Sequence, residues 1–206
     1  MRRISPLTNA LGYAVVAGLT LPLVVLLGVS LNAGVEQNFP PSGLSLRWYA
    51  NIANRDGFVS AIQTTLILAA VSTVLSTVIS VLAALAIVRH RFFGRDALLT
   101  AILSPLIVPQ VVVGMAFLVT LSALGIFSSM LGLLLLHAAI TLPFSARVVV
   151  ASLMGARVSL EEAARSLGAP PWKAFVLVTL PLIRPGIGAG AVFAFVTSFE
   201  NFTATQ

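Results

Sequence analysis

Few side chains in this sequence have the types and spacing that catalytic or metal chemistry needs. It contains no Cys, which excludes disulfides, thiolate metal sites and cysteine nucleophiles. His137 has no second ligand at metal-binding spacing, so a hydrogen-bonded histidine between helices explains it better than a metal ligand. The sequence shows no acid–base pair, nucleophile constellation or metal-ligand cluster, and we therefore expect neither enzymatic activity nor a cofactor.

Charges of both signs cluster in one segment, EEAARSLGAPPWKAFVLVTLP (161–181), which lies between two very apolar stretches. Ser159 followed by Glu162 fits an S-x-x-E capping box, which predicts the start of a short helix. Gly168 fits a left-handed cap that would end this helix, and the two prolines at 170–171 fit the first turn of a second one. The segment is therefore predicted to form a helix–turn–helix unit that can move as a rigid body.

The same segment also matches a longer pattern, E-A-A-x3-G-x9-[I/V]-x-L-P. This pattern is the signature of the cytoplasmic coupling loop in permease subunits of bacterial ABC importers, and the chain resembles that family. The resemblance implies an all-α integral membrane protein, a polytopic helical bundle with the MetI-like fold of type I importers. Every position of the pattern is filled, with Val178 where Ile is usual: Glu162, Ala163, Ala164, Gly168, Val178, Leu180 and Pro181.

The resemblance also implies partners. In such permeases the loop docks in a groove of a cytoplasmic ATPase dimer, whose closure on ATP and opening after hydrolysis move the membrane helices. A second, related permease subunit, an external substrate-binding protein and membrane lipid would complete the assembly. The sequence has no G-x-x-x-x-G-K-[ST] loop, so ATP hydrolysis is expected on the separate ATPase subunit. The coupling positions carried over to this chain are Glu162, Ala163, Ala164, Gly168 and Pro181.

Three other interpretations stay open at this point. The segment could lie on the membrane as an amphipathic hairpin, with Trp172 and Lys173 as headgroup anchors. The chain could be a secondary transporter or a channel, although its uncharged spans offer few coupling groups. It could also be a membrane anchor without ATPase coupling, which would leave the spacing unexplained.

The composition places the chain in a membrane independently of the resemblance. Hydrophobic residues make up 58% of the sequence and charged residues 9%, and the mean hydropathy is +1.04. An ordinary soluble domain of 206 residues carries far more charge. The formal net charge of +6 does not indicate nucleic-acid binding, because the basic residues do not cluster on one soluble face.

Intervals without charged residues locate the membrane spans. A helix needs about 20 apolar residues to cross a ~30 Å hydrocarbon core, so the intervals that follow Arg3 and Asp56 each hold one crossing. The interval between Asp96 and Arg147 is long enough for two, with a turn at 122–130. A cytoplasmic coupling loop is predicted at about 152–184, and five helices near 11–31, 60–88, 97–121, 131–151 and 185–204.

The predicted orientation follows from Lys and Arg, which are in excess in short cytoplasmic loops. All but two of the 12 basic residues precede the first helix, follow the second or surround the coupling loop; Arg47 and Arg55 are the exceptions. This places the chain in a bacterial inner membrane, with its N-terminus and the EAA segment in the cytoplasm. A cleaved signal peptide is the alternative for the first helix, whose apolar run is longer than a typical h-region.

Three less specific stretches resemble the polyamine branch of these permeases: LSLRWYANI (44–52), SPLIVPQVVVGMAF (104–117) and TSFENFTAT (197–205). Glu200 stands where that branch usually carries Asp. A carboxylate near the outer end of the last helix, with Phe199 beside it, could attract a small organic cation such as spermidine or putrescine. An interfacial Glu at a helix end is an equally good interpretation of the same residue.

Permeases of this family usually have six core helices and both termini in the cytoplasm. Five are predicted here, so the sixth, C-terminal helix is expected to be missing from this sequence. A truncated gene product, a fragment or a split permease would each account for that.

Two patterns within the predicted spans concern helix shape and packing. Pro105, Pro109 and Pro143 are expected to kink the helices that contain them. Ser and Thr side chains recur at i+4 spacing along the second predicted helix, from Thr64 to Ser80. Small side chains at this spacing favour close packing between membrane helices.

Overall fold

The computed structural model describes residues 6–126 and 129–201, and these residues form nine α-helices. In the same residues the only extended pairing is an isolated antiparallel bridge between Asn32 and Leu44. A 3₁₀ turn (Ser104–Leu106) follows α4, and a π turn (Phe175–Thr179) joins α8 to α9. The helices are α1 (Pro6–Ser30), α2 (Arg47–Ala53), α3 (Asp56–Arg89), α4 (Arg95–Leu103), α5 (Gln110–Ala123), α6 (Met130–Gly155), α7 (Val158–Ser166), α8 (Pro171–Ala174) and α9 (Leu180–Phe199).

The longest helices have the length and composition of membrane spans. In the described part of the chain, four continuous segments qualify: Pro6–Ser30, Gly57–Arg89, Met130–Gly155 and Pro171–Phe199. The first three correspond to the predicted intervals 11–31, 60–88 and 131–151. A fifth candidate span is the bent pair formed by α4, its 3₁₀ turn and α5.

The third predicted span, 97–121, is not one straight helix. Arg95–Leu106 and Gln110–Ala123 meet at an angle of 106°, and the chain turns over residues 107–109. Pro109 has no N–H to donate and disfavours a helical conformation in the residue before it, so the helix stops and restarts there. Pro143, by contrast, lies inside α6, which continues past it.

The last predicted span, 185–204, begins earlier than expected. The helix runs from Pro171 through the π turn to Phe199. Lys173 and Arg184 marked the polar boundary in the prediction, but a helix satisfies its backbone hydrogen bonds internally and can continue past the membrane surface. The loop between α6 and α8 therefore comprises residues 156–170 rather than 152–184. The predicted end at 202–204 lies outside the described residues.

The described residues up to Ile62 form one compact unit. In it, α1 buries none of its described side chains. The segment after α1 folds around Asn32, whose side chain accepts from the Ser42 N–H at 3.1 Å and donates to the Glu36 carbonyl at 2.7 Å. The Trp48 indole donates to the Asn32 carbonyl at 2.9 Å. One buried amide side chain thus organises this loop.

The second unit begins at Gln63, and in it α6 packs along α9. Gly186 and Gly190 bring the two helices together: a Cβ at residue 190 would lie 3.2 Å from the Ser145 carbonyl oxygen, and one at residue 186 would collide with the Ser152 side chain. This is the small-xxx-small packing of membrane helices. An apolar cluster continues this contact and includes α3: Ala84, Val149, Val150, Leu153 and Ile183.

Buried hydroxyl groups lie between α3 and α6. Three serines at intervals of one turn on α3 are each 0% exposed: Ser72, Ser76 and Ser80. From α6, the Thr141 hydroxyl donates to Ser76 Oγ at 3.1 Å. These four residues are called the hydroxyl seam below. The packing role predicted for this i+4 pattern is confirmed at these serines.

His137 connects α6 to the other end of α9. Its Nδ1 lies 2.8 Å from Ser198 Oγ, and both side chains are 2% exposed. The expected interhelical hydrogen bond of this histidine is thus confirmed.

Candidate functional site

The residues predicted to couple to an ATPase lie on and around α7. This helix begins at Val158 with Arg157 as its N-cap, and no side chain of the described chain caps its first turn. The predicted capping box of Ser159 and Glu162 is therefore wrong, because Ser159 lies inside the helix. The physical reason is the extended backbone of Ala156 (ψ 126°) and Arg157 (ψ 115°), which turns the chain out of α6 before Ser159 is reached.

Gly168 ends α7, as the sequence predicted. Its φ of +89° lies in the left-handed region, where other residues are strained by about 1–2 kcal/mol. The Gly168 N–H donates to the Arg165 carbonyl at 2.9 Å, and the Ala169 N–H donates to the Ala164 carbonyl at 3.1 Å. These two bonds form a Schellman motif. The chain therefore leaves α7 at a fixed residue.

The two prolines that follow begin the next helix. Pro170 is the N-cap of α8 and Pro171 is its first residue, so only the second lies in the first turn as predicted. Because α8 continues through the π turn into α9, the second helix of the predicted helix–turn–helix unit is the beginning of a membrane span. Only α7 is a separate short helix. The short turn at 168–170 therefore connects α7 directly to the helix that continues into α9.

The outer surface of α7 carries one acidic side chain with small side chains beside it. Glu162 and Ala163 are exposed, and Ala164 is half-buried. A small side chain next to an exposed carboxylate leaves room for another backbone to approach. Large apolar side chains are also exposed nearby, namely Leu160 at 44%, Leu167 at 90% and Trp172 at 63%. Exposed apolar groups close to each other are typical of surfaces that bind a partner.

The rest of the motif lies on a different element. Pro181 is exposed in the first turn of α9, while Val178 and Leu180 are half-buried at the π turn and the start of α9. The motif thus has two parts, one on α7 and one at the base of α9. The nine residues between Gly168 and Val178 hold the turn, α8 and most of the π turn.

Sequence reasoning missed Glu161, the neighbour of the motif glutamate. Its Oε2 accepts from the Thr179 hydroxyl at 2.8 Å and lies 3.4 Å from Nε of Arg89, the last residue of α3. The Glu161 and Arg89 side chains are 23% and 14% exposed, whereas Glu162 is classed as exposed. Adjacent helix positions differ by about 100° in direction, so the two glutamates cannot share one face. That geometric rule was the available signal, but it could not say which glutamate turns inward.

The predicted pathway residues, Phe199 and Glu200, lie together at the end of α9. Glu200 is the C-cap of the helix and is exposed, so it does not lie inside a longer helix. The Phe199 ring stacks on Phe195 with centroids 5.9 Å apart. A carboxylate and aromatic rings beside the negative end of a helix dipole suit an organic cation. In the described residues no three His, Asp or Glu side chains group closely enough to hold a metal ion.

Comparison with known proteins identifies the family. The family described as binding-protein-dependent transport system inner membrane component matches residues 76–206, which is more than half of the chain. The chain belongs to this family and is a permease subunit of an ABC importer. It is accordingly a multi-pass inner-membrane protein, in agreement with its apolar helices. The family resemblance drawn from the coupling-loop pattern is confirmed.

Individual relatives agree with this assignment. The chain is 31% identical over 193 residues to the spermidine/putrescine transport system permease protein PotC of Escherichia coli K12, covering 94% of this chain and 73% of the relative. It is 33% identical over 167 residues to the putrescine permease PotI of the same strain, covering 78% and 59%. The molybdenum permease ModB of Haemophilus influenzae is 32% identical over 160 residues, covering 71% and 70%. These relatives are transport permeases and not enzymes.

A solved structure shares the fold. A chain of a bacterial ABC transporter involved in the import of the acidic polysaccharide alginate superposes with a TM-score of 0.67, covering 94% of this chain and 74% of that one. The identity is 20%, so the likeness concerns the fold alone. It confirms the all-helical fold of an importer permease that the resemblance implied.

Proposed function

We propose that α7 docks against a separate ATPase dimer and passes its movement to the membrane helices of this permease. The observation that carries the proposal is the exposed surface at Glu162 and Ala163 on a helix whose end is fixed by Gly168. A rigid, exposed helix outside the apolar spans can serve as a docking surface for a partner protein. The sequence holds no P-loop pattern, so the energy of ATP would reach it through such a contact.

Replacing Glu162 by Arg is expected to lower the amount of ATPase that co-purifies with the tagged permease by about tenfold, because a charge of the wrong sign then faces the docking groove. The measurement is the ratio of ATPase to permease after affinity purification in a mild detergent. Glu36→Arg is the matched control, since Glu36 is also an exposed carboxylate but lies in the loop after α1. An unchanged ratio in Glu162→Arg would favour a channel or a membrane anchor.

We further propose that the cargo is a polyamine or a similar small organic cation. Two of the relatives are named for spermidine and putrescine, but the molybdenum permease is about as similar, at 32% identity. Identity alone therefore does not choose between these cargoes. The exposed Glu200 carboxylate beside the stacked Phe195 and Phe199 rings favours a cation.

Glu200→Gln is expected to reduce the initial uptake of labelled putrescine by about fivefold at limiting concentration, because the attraction to the ammonium groups is lost. Glu200→Asp should keep most of the uptake, since it retains the charge. The measurement is uptake into cells that express the complete importer, with Glu36→Gln as the control. Normal uptake in Glu200→Gln would make Glu200 an interfacial residue, and uptake of molybdate in place of putrescine would exclude the polyamine class.

The remaining parts of the proposed assembly are a second, related permease subunit and an external substrate-binding protein. The exposed side chains along α1 leave a surface for lipid or for the second subunit. The proposed orientation, with the N-terminus and α7 in the cytoplasm, is supported by the distribution of Lys and Arg along the sequence.

A further inference from the structure

The Glu161 carboxylate connects three helical elements at one point. Its Oε2 accepts from Thr179 Oγ1 at 2.8 Å and pairs with Arg89 Nε at 3.4 Å. Arg89 ends α3, Glu161 lies in the first turn of α7, and Thr179 closes the π turn before α9. The three residues are called the Glu161 junction below. One side chain of the coupling helix thus contacts two membrane helices that are far apart in sequence.

The helix dipoles favour this ion pair. Glu161 is at the positive N-terminal end of α7, and Arg89 is at the negative C-terminal end of α3. Each charge therefore lies where a helix end already stabilises it. The two side chains are 23% and 14% exposed, so salt screens their attraction less than it would screen a fully exposed pair.

The π turn gives Thr179 its direction. One extra residue in a helical turn rotates the following side chains by about 100° relative to an uninterrupted α-helix. Thr179, which is 2% exposed, contacts Glu161 of α7, and Ile183, one turn later, joins the apolar cluster with α3 and α6. The base of the last helix is thus attached to α7 on one side and to the membrane bundle on the other.

We propose that Glu161 is a positioning residue that holds α7 to α3 and α9 throughout the transport cycle. This inference rests on the proposed docking of α7 to an ATPase. The two adjacent glutamates then have separate tasks: Glu162 contacts the partner, and Glu161 ties the same helix to its own chain. Movement imposed on α7 reaches α3 through Arg89 and α9 through Thr179, in addition to the covalent route along the turn at 168–170.

The first test separates docking from coupling. In proteoliposomes that contain the complete importer, Glu161→Gln is expected to leave the co-purified ATPase unchanged and to lower putrescine uptake per ATP hydrolysed by about fivefold. Thr179→Val removes only the hydroxyl donor and should give a smaller loss in the same direction. Glu162→Gln is the matched control, and it should reduce the bound ATPase instead. If the wild-type permease binds no ATPase, the proposed function fails, whatever Glu161 does.

Charge exchange tests the ion pair itself. Glu161→Arg and Arg89→Glu are each expected to lose coupling, and the double variant with both changes should recover part of the wild-type uptake per ATP, because the ion pair is restored while both charges now oppose the helix ends. Independent roles of the two residues would not predict recovery. A double variant as poorly coupled as the single reversals would overturn the proposal.

A distance measurement tests the junction without transport. Because the chain has no cysteine, spin labels can be attached at Ser166→Cys and Phe93→Cys, one on α7 and one in the exposed turn after α3. The distance between the labels in the complete importer should be the same with and without ATP, and it should change on ATP addition in Glu161→Gln. A distance that changes in the wild type, or stays constant in Glu161→Gln, would overturn the proposal.

Discussion

Gly186→Val is expected to leave almost no correctly assembled permease. A Cβ at residue 186 would occupy the space of the Ser152 side chain on α6, and valine adds two further methyl groups. Gly190, one turn along, is also confined, although less tightly, with a Cβ position 3.2 Å from the Ser145 backbone oxygen. The helices cannot separate at one glycine and stay together at the next. We expect the free energy of unfolding to fall by about 3 kcal/mol.

Gly188→Val is the matched control for this prediction. The two glycines lie on the same helix, but apart from the neighbouring backbone of α9 itself, no heavy atom in the described part of the chain comes within 4 Å of a Cβ at residue 188. Both variants change helix propensity by the same amount. The difference between their free energies of unfolding therefore reports the packing of α9 against α6. Thermal unfolding in detergent measures the stability of each variant, and size-exclusion chromatography then measures how much correctly assembled permease remains. Equal losses for both variants would contradict the close α6–α9 contact.

Leu153→Ala is expected to lower the free energy of unfolding by about 2–3 kcal/mol. Leu153 is 0% exposed and packs in the apolar cluster with Ala84, Val149 and Ile183. In a bilayer the loss comes from the cavity and the missing dispersion contacts, because lipid is as apolar as leucine. The cluster also contains residues of α3, α6 and α9, so its loosening should reduce transport as well.

Leu131→Ala provides the comparison for Leu153→Ala. Leu131 lies on the same helix α6 but is 55% exposed, so its truncation leaves no closed cavity. Its expected cost is below about 1 kcal/mol. The midpoint of denaturant-induced unfolding in mixed micelles measures both variants. A cost for Leu131→Ala that matches the cost for Leu153→Ala would show that the cluster is not the core of the bundle.

Much of the architecture could be predicted because the bilayer imposes simple rules. A charge-free interval must lie in lipid or in the interior, which is why α1, α3 and α6 fall on the predicted intervals. Gly168 could be recognised as a helix stop, since few other residues adopt its φ of +89°. The family could be recognised from the spacing of the coupling motif alone, and the family match confirms that resemblance.

The remaining features depend on information that a local pattern does not contain. Hydropathy gives the edge of the membrane and not the end of a helix, so it was missed that the helix starting at Pro171 continues into the last span. Hydropathy also gives no direction: Pro105 and Pro109 predicted a kink in the third span, but nothing in the sequence indicated a turn as sharp as 106° between α4 and α5. Glu161 differs from Glu162 only by its direction on α7, and that direction depends on tertiary contacts with Arg89 and Thr179.

The hydroxyl seam by itself does not fix the register of α3 against α6. Thr141 donates to Ser76, and the hydroxyl oxygens of Ser72 and Ser80, one turn to either side, have no hydrogen-bond partner within the described residues. If one helix slid along the other by a turn, about 5.4 Å, Thr141 would meet an identical acceptor. The hydrogen bond that breaks and the one that forms would be chemically the same, so the register of the two helices is set by the apolar cluster of Ala84, Val149 and Leu153 and not by the seam. Interlocked leucines would resist the same sliding, whereas small hydroxyl side chains permit it.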